Sequence, residues 1–245
     1  MSEDDTALLA VKGVSKRFGG IEAVRDVSFS VARGEILGLI GPNGSGKTTL
    51  LNTINGVHRV SKGEIYYNRQ PIHNRAPSWL LRQGVARTFQ TPRVFQSLSV
   101  LDNMLLPTIE TGLRDEEAID RILESVALKE KKFWTASQLS GGQQKLLEYA
   151  RALVSRPRLI LMDEPFGGVH PEIKAVMQDA IKRASREEQV TFLIVSHEIP
   201  DLLQLCHRVA CLAEGQILAM GTAREVTADD RVVSAYLGRR YEQHA

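Results

Sequence analysis

The sequence predicts an α/β fold on a mainly parallel sheet, and three features predict it. EILGLIG (35–41), RLILMDEP (158–165) and TFLIVSH (191–197) contain continuous apolar runs, the pattern of strands buried on both faces. Segments with apolar residues three and four apart stand between such runs, as helices do in crossover connections. The runs end in glycine, in acids or in histidine, and parallel sheets gather ligands at the carboxyl ends of their strands.

Along the chain, ALLAVKGV (7–14) and AVRDVSFSV (23–31) carry alternating or β-branched apolar residues, with turn signals at Gly19-Gly20 and Arg33-Gly34. EILGLIG leads through a glycine-rich loop into a helix, and GEIYYN (63–68) is a further strand ended by the polar NRQP. From about Thr91 to Arg156 the pattern turns helical. Asp115 caps a helix whose Ala118, Ile119, Ile122, Leu123 and Val126 share one face. A second helix starts near Ser140, with Leu146, Leu147, Ala150 and Leu153 as its apolar stripe. This block predicts a distinct helical lobe. Beyond Pro157 the α/β pattern returns: after RLILMDEP, Pro171 opens a helix carrying Ile173, Val176, Met177, Ala180 and Ile181. TFLIVSH is followed by a short helix, DLLQLC, and by a hairpin, RVACLAEGQILAM, turning at Glu214-Gly215.

With 245 residues, 43% hydrophobic and 24% charged, the chain has the apolar mass of one large domain and the composition of neither a disordered nor a repeat protein. Lys+Arg 31 against Asp+Glu 29 leaves a net charge of +2, so no global basic field draws nucleic acid. Cys206 and Cys211 form no CxxC pair, which speaks for structural thiols rather than zinc or a disulfide framework. MSEDDTALLA lacks the basic start of a signal peptide, and no window approaches the roughly 18–20 apolar residues of a spanning helix. A soluble protein of a reducing compartment is expected, meeting a membrane only through a partner.

Gly41-Pro42-Asn43-Gly44-Ser45-Gly46-Lys47-Thr48 matches G-x-x-x-x-G-K-[ST] between a strand and a helix. Glycines let several backbone N–H groups converge on an anion at the helix N-terminus. Lys47 supplies a mobile charge for the β- and γ-phosphates, the Thr48 hydroxyl suits Mg²⁺, and Thr49 is placed for a further phosphate hydrogen bond. Asp163 and Glu164 end a buried strand, where two adjacent carboxylates need a cation nearby. A magnesium–nucleotide complex on the loop supplies it, with Asp163 orienting the metal or its water and Glu164 as general base. His197, at the same edge of the sheet, is placed for the γ-phosphate.

Leu139-Ser140-Gly141-Gly142-Gln143 opens another helix and invites a second phosphate contact. The phosphate loop, LSGGQ, LILMDEP and His197, in that order and spacing, resemble the nucleotide-binding subunit of ATP-binding cassette (ABC) transporters over nearly the whole chain. The resemblance implies one cassette over 1–245: a RecA-like P-loop NTPase core, a small antiparallel β region, and a helical subdomain near 91–156. It also implies two subunits facing head to tail around two ATP, so that Ser140, Gly141, Gly142 and Gln143 act in trans. Gln90, in ARTFQTPRVF, falls where the family senses Mg²⁺ and the water, and Phe18, in KRFGG, where an aromatic stacks on adenine. One place departs: where the family commonly ends its dimer-contact loop with aspartate, this chain has His170.

GVARTFQTPRVFQSLSVLDNM and VVSAYLGRR resemble the subgroup serving branched-chain amino acid importers of bacteria, whereas DEPFGGVHP and YLG also resemble the ATPase of lipopolysaccharide export. The implied partners are a second ABC subunit, identical or related, transmembrane permeases and, indirectly, a solute-binding protein, on the inner face of the cell membrane. A lipid exporter and a soluble ABC ATPase outside transport are the alternatives.

Overall fold

The computed structural model describes residues 7–111 and 115–242. Strands β1 (Ala7–Phe18) and β2 (Ile21–Ala32) form a long antiparallel hairpin that turns at Gly19-Gly20. After β3 (Ile36–Ile40) and α1 (Lys47–Ile54), β4 (Lys62–Tyr67) and β5 (Gln70–Pro71) complete a four-stranded antiparallel sheet in the order β2-β1-β4-β5. The polar NRQP, which reads as the end of a strand, is itself a tight hairpin. Asn68 and Arg69 both take positive φ, 48° and 65°, and bring Gln70 back onto Tyr67.

The chain then runs through α2 (Pro77–Arg82), β6 (Val85–Arg87), α3 (Val100–Thr111), α4 (Glu116–Ser125) and α5 (Gly141–Val154). As predicted, Asp115 caps α4, its carboxylate accepting the Ala118 N–H at 2.9 Å. Ser140 and Gln143 form a reciprocal capping box on α5. The remaining elements are β7 (Leu159–Asp163), α6 (Pro171–Glu187), β8 (Thr191–Val195), α7 (Ile199–Leu205), β9 (Arg208–Ala213), β10 (Gln216–Gly221), α8 (Ala223–Thr227) and α9 (Asp230–Glu242). The second sheet has the order β10-β9-β3-β8-β7-β6, parallel throughout except for the antiparallel edge strand β10. The β9–β10 turn sits at Glu214-Gly215, as expected from the sequence, with φ of 46° and 82°.

Continuous apolarity in β3, β7 and β8 has a simple cause: alternate residues feed two cores. Ile36, Ile40, Ile160, Met162, Phe192 and Ile194 pack toward the helices. Leu37, Leu39, Leu159, Leu161, Leu193 and Val195 pack toward α1 and the antiparallel sheet. No helix among the described residues is long and apolar enough to cross a membrane.

Cys211 lies in the core and Cys206 against Gly38. Burial pushes their thiols up to about 11 and about 12. A thiol raised in the native state stabilises the fold below its unfolded pKa, and that contribution fades as pH climbs through the native value. At pH 8 both thiols are therefore expected to react with a disulfide reagent at least about 10²-fold more slowly in the native protein than in urea. Comparable rates in a stopped-flow thiol assay would contradict this.

Candidate active site

The carboxyl ends of β3, β6, β7 and β8 open on one edge of the parallel sheet. Beyond β3 the loop from Gly41 turns into α1 through positions that exclude a side chain. A Cβ on Gly41, where φ is 152°, would lie 2.0 Å from the Leu212 carbonyl oxygen. One on Gly46, where φ is 103°, would lie 2.3 Å from that of Ala23. The loop therefore keeps its backbone against β9 and β2 while its exposed side faces a cleft of about 350 Å³. Asn43, Gly44, Gly46, Lys47, Thr48 and Thr49 form the floor of that cleft, and Gln90, Glu164 and His197 form its walls. Lys47 Nζ donates to the carbonyls of Gly41 and Pro42 at 2.8 and 3.0 Å. Ser45 Oγ is buried without a hydrogen-bond partner.

Asp163 ends β7 beneath the cleft. Thr48 Oγ1 donates to its Oδ1 at 3.3 Å, and Arg87 Nη2 to its Oδ2 at 3.5 Å. The Asp163 and Arg87 side chains are each only 5% exposed. Burial pushes the Asp163 carboxyl up, while Arg87 and Thr48 pull the other way. Burial likewise draws the Arg87 guanidinium down, and its Nε and Nη1 have no hydrogen-bond partner.

Glu164 adopts a φ of 51°, a left-handed conformation that costs a residue with a Cβ about 1–2 kcal/mol. Its N–H donates to the Val195 carbonyl at 2.8 Å, and its carbonyl accepts from Lys145 Nζ at 2.7 Å. Its carboxylate Oε2 accepts the His197 backbone N–H at 3.2 Å and pairs with His197 Nδ1 at 2.8 Å. The two wall residues thus meet each other.

Gln90 stands exposed in the loop after β6, and Glu148 of α5 holds that loop from behind. The Glu148 carboxylate is buried and accepts the N–H groups of Phe89 and Arg93 at 3.1 and 2.8 Å. Burial raises its pKa against those two bonds. Phe18 ends β1 outside the cleft lining, 43% exposed and edge-on to the His58 ring. Ser140 and Gly141 are exposed at the start of α5 and line no part of the cleft, as do neither Gly142 nor Gln143. His170 is exposed just before α6, 4.0 Å from Glu172. Arg87, Lys145 and Glu148 escape the sequence reading. The available signals are an arginine two residues before Phe89 in ARTFQ and charged residues beside the apolar stripe of α5.

A glycine-rich loop between β3 and α1, beside acids at the end of β7, defines a nucleotide-binding protein of the P-loop class. The family model described as "ABC transporter" matches residues 24–167, and "Branched-chain amino acid ATP-binding cassette transporter" matches residues 216–242. The chain belongs to the ABC transporter family and is an ATPase whose hydrolysis is coupled to transport. It is 34% identical to a probable branched-chain amino acid transport ATP-binding protein LivG of Methanocaldococcus jannaschii, over 96% of this chain and 99% of that one. It is also 34% identical to the high-affinity branched-chain amino acid transport ATP-binding protein LivG of Salmonella typhimurium, covering 94% and 98%. The crystal structure of a transporter cassette in its ADP conformation superposes with a TM-score of 0.87 at 34% identity, over 95% of this chain and 99% of that one. A dimeric cassette bound to ADP and Pi superposes at 0.79 with 27% identity, over 88% and 99%.

Proposed function

We propose that the chain is the ATP-hydrolysing subunit of an importer of branched-chain amino acids or related amino acids or amides. Its place is the inner face of the cell membrane, bound to separate permease subunits served by a solute-binding protein. The observation that carries hydrolysis is the single cleft in which the glycine loop, Lys47, Glu164 and His197 meet. The family match over residues 216–242 favours amino-acid import over lipid export or a soluble role.

In this reading Gly41, Asn43, Gly44, Ser45 and Gly46 wrap the triphosphate with backbone N–H groups, and the Ser45 hydroxyl becomes satisfied there. Lys47 leaves the Gly41 and Pro42 carbonyls for the β- and γ-phosphates, Thr49 adds a hydrogen bond, and Phe18 stacks on adenine. Thr48 and Asp163 present a hydroxyl and a carboxylate side by side, which fits a hard cation sharing its oxygen ligands with phosphate. Among the described residues no group of three or more His, Cys, Asp or Glu side chains could hold a metal on its own. Thr48, Asp163 and Gln90 would hold Mg²⁺, which neutralises charge on the phosphates. Glu164 takes a proton from the attacking water as the water's oxygen bonds to the γ-phosphorus and the bond to ADP breaks. His197 fixes the Glu164 carboxylate and reaches the γ-phosphate.

Residues 1–245 act as one cassette, with a helical subdomain near 91–156. Two such subunits, alike or related, close head to tail, each offering Ser140, Gly141, Gly142 and Gln143 to the partner's ATP. The exposure of this helix start away from its own cleft supports that arrangement. A second groove, of about 390 Å³, runs between α2, α3 and α5 and is bordered by Leu81, Leu106, Pro107, Arg151 and, on its inner side, Arg87 and Glu148. It suits a permease helix, and Glu148 links it to the Gln90 loop.

Isolation of the tagged chain from detergent-solubilised membranes is expected to bring integral membrane subunits with it. The reconstituted complex is expected to release phosphate faster when the binding protein carries leucine, isoleucine or valine. Recovery of the chain with ribosomes or DNA, or stimulation only by lipid, would sink the importer reading.

A further inference from the structure

We propose that Lys145 is a positioning residue for Glu164, tying the helix headed by Ser140–Gln143 to the turn that aims the base. The inference rests on the general-base reading of Glu164 and extends it to a residue outside the cleft lining.

The turn needs holding. Glu164 sits in the left-handed region with a full side chain, so the unrestrained chain prefers to relax toward negative φ and swing the carboxylate away. On one side its N–H is fixed to β8 through the Val195 carbonyl. On the other, the bond closing the turn, from the Gly167 N–H to the Glu164 carbonyl, is long at 3.4 Å. Lys145 Nζ supplies what that bond lacks. It donates to the carbonyls of Glu164 and Gly167 at 2.7 and 2.9 Å, gripping both ends of the turn with one ammonium. Charge-assisted bonds of this kind are short and strong. Burial draws the pKa of the half-buried ammonium down, and the negative charge of Glu164 opposes that shift.

Lys145 also belongs to a helix that holds two parts of the cleft wall. Three residues further along α5, one helical turn away, Glu148 holds the N–H groups of Phe89 and Arg93 on either side of Gln90. One helix face therefore sets both the Gln90 loop and the Glu164 turn. A shift of α5 reaches the base through Lys145 and the loop through Glu148.

The test compares Lys145→Met, Lys145→Arg, Glu164→Gln and the Lys145→Met/Glu164→Gln double variant in the full chain. The readouts are kcat, KM for ATP, binding of a fluorescent ATP analogue and thermal midpoint. Lys145→Met is expected to lower kcat by about 10- to 10²-fold, the scale of a small misplacement of a catalytic group, with KM and analogue affinity within about twofold. Lys145→Arg is expected to recover most of the loss, because a guanidinium can also donate to two carbonyls. In the Glu164→Gln background the same Lys145→Met change is expected to alter the residual rate by less than about twofold, since the effect passes through the base.

Near-parental kcat in Lys145→Met, with Glu164→Gln still impaired, overturns the role of Lys145 and leaves the base standing. A full additional loss in the double variant, or a parallel fall in analogue affinity and thermal midpoint, also overturns it. Should Lys145→Met not fold, Lys145→Gln, a shorter neutral donor, reads the same cycle. Near-parental turnover in Glu164→Gln removes the general-base reading and this inference with it.

Discussion

Replacing Glu164 with glutamine is expected to lower ATP turnover by at least about 10²-fold while nucleotide binding persists. The two outcomes separate because Glu164 is a wall of the cleft and the glycine loop is its floor. Glutamine keeps the size of the side chain and can still accept the His197 N–H, so the wall stays in place. What it loses is the ability to take a proton. The acid meets its partner at short range, with His197 Nδ1 2.8 Å from Oε2 and the backbone N–H 3.2 Å from the same oxygen. A carboxylate held through one oxygen keeps the other oxygen for water. Phosphate release at saturating Mg-ATP, beside titration of a fluorescent nucleotide, checks the result. Turnover near that of the parent would take Glu164 out of the chemistry.

Gly41→Ala is expected to abolish measurable nucleotide binding and to destabilise the fold by about 3 kcal/mol or more. The methyl would lie 2.0 Å from the Leu212 carbonyl oxygen, far inside contact distance, on a backbone at φ 152° that alanine resists. Neither neighbour can yield cheaply. Leu212 is fully buried in β9, whose Cys211 pairs with Ile40 immediately before the loop. Relief therefore means breaking the β3–β9 ladder or pushing the loop into the space meant for phosphate. Gly19→Ala isolates the backbone term, because φ is 55° there and nothing lies within 4 Å of the added methyl. That variant is expected to lose about 1 kcal/mol and to bind nucleotide as the parent does. Urea denaturation and nucleotide titration of the two variants check the contrast, and equal losses would mean that the collision at Gly41 is relieved at no cost.

Much of this architecture was legible because local pattern and burial coincide. β3, β7 and β8 announce two-sided burial by lacking polar alternation, and Asp115 and Ser140 announce helix starts by chemistry confined to three residues. Elements without periodicity were not legible. β6 is three residues long and contains an arginine, and Gln70–Pro71 is too short to show a pattern. The loop, the acids and His197 could be singled out because each ends a recognisable strand. Their supports could not, since they are defined by adjacency across the fold. Arg87 reaches Asp163 over 76 positions, and Glu148 reaches Phe89 and Arg93 over 59 and 55. Lys145, a helical lysine of ordinary appearance, acquires its meaning only where α5 passes behind the Glu164 turn.

The parallel sheet, with neighbouring residues of each central strand committed to opposite cores, behaves as a bulkhead pressed from two sides. Neither surface has slack, so a strand cannot slide to absorb the swelling or emptying of the cleft at its end. Whatever displacement a bound triphosphate demands must be taken up by the rim: the loop after β6, the turn after β7, and the helix fastened to both. The stroke of this engine is confined to its edge.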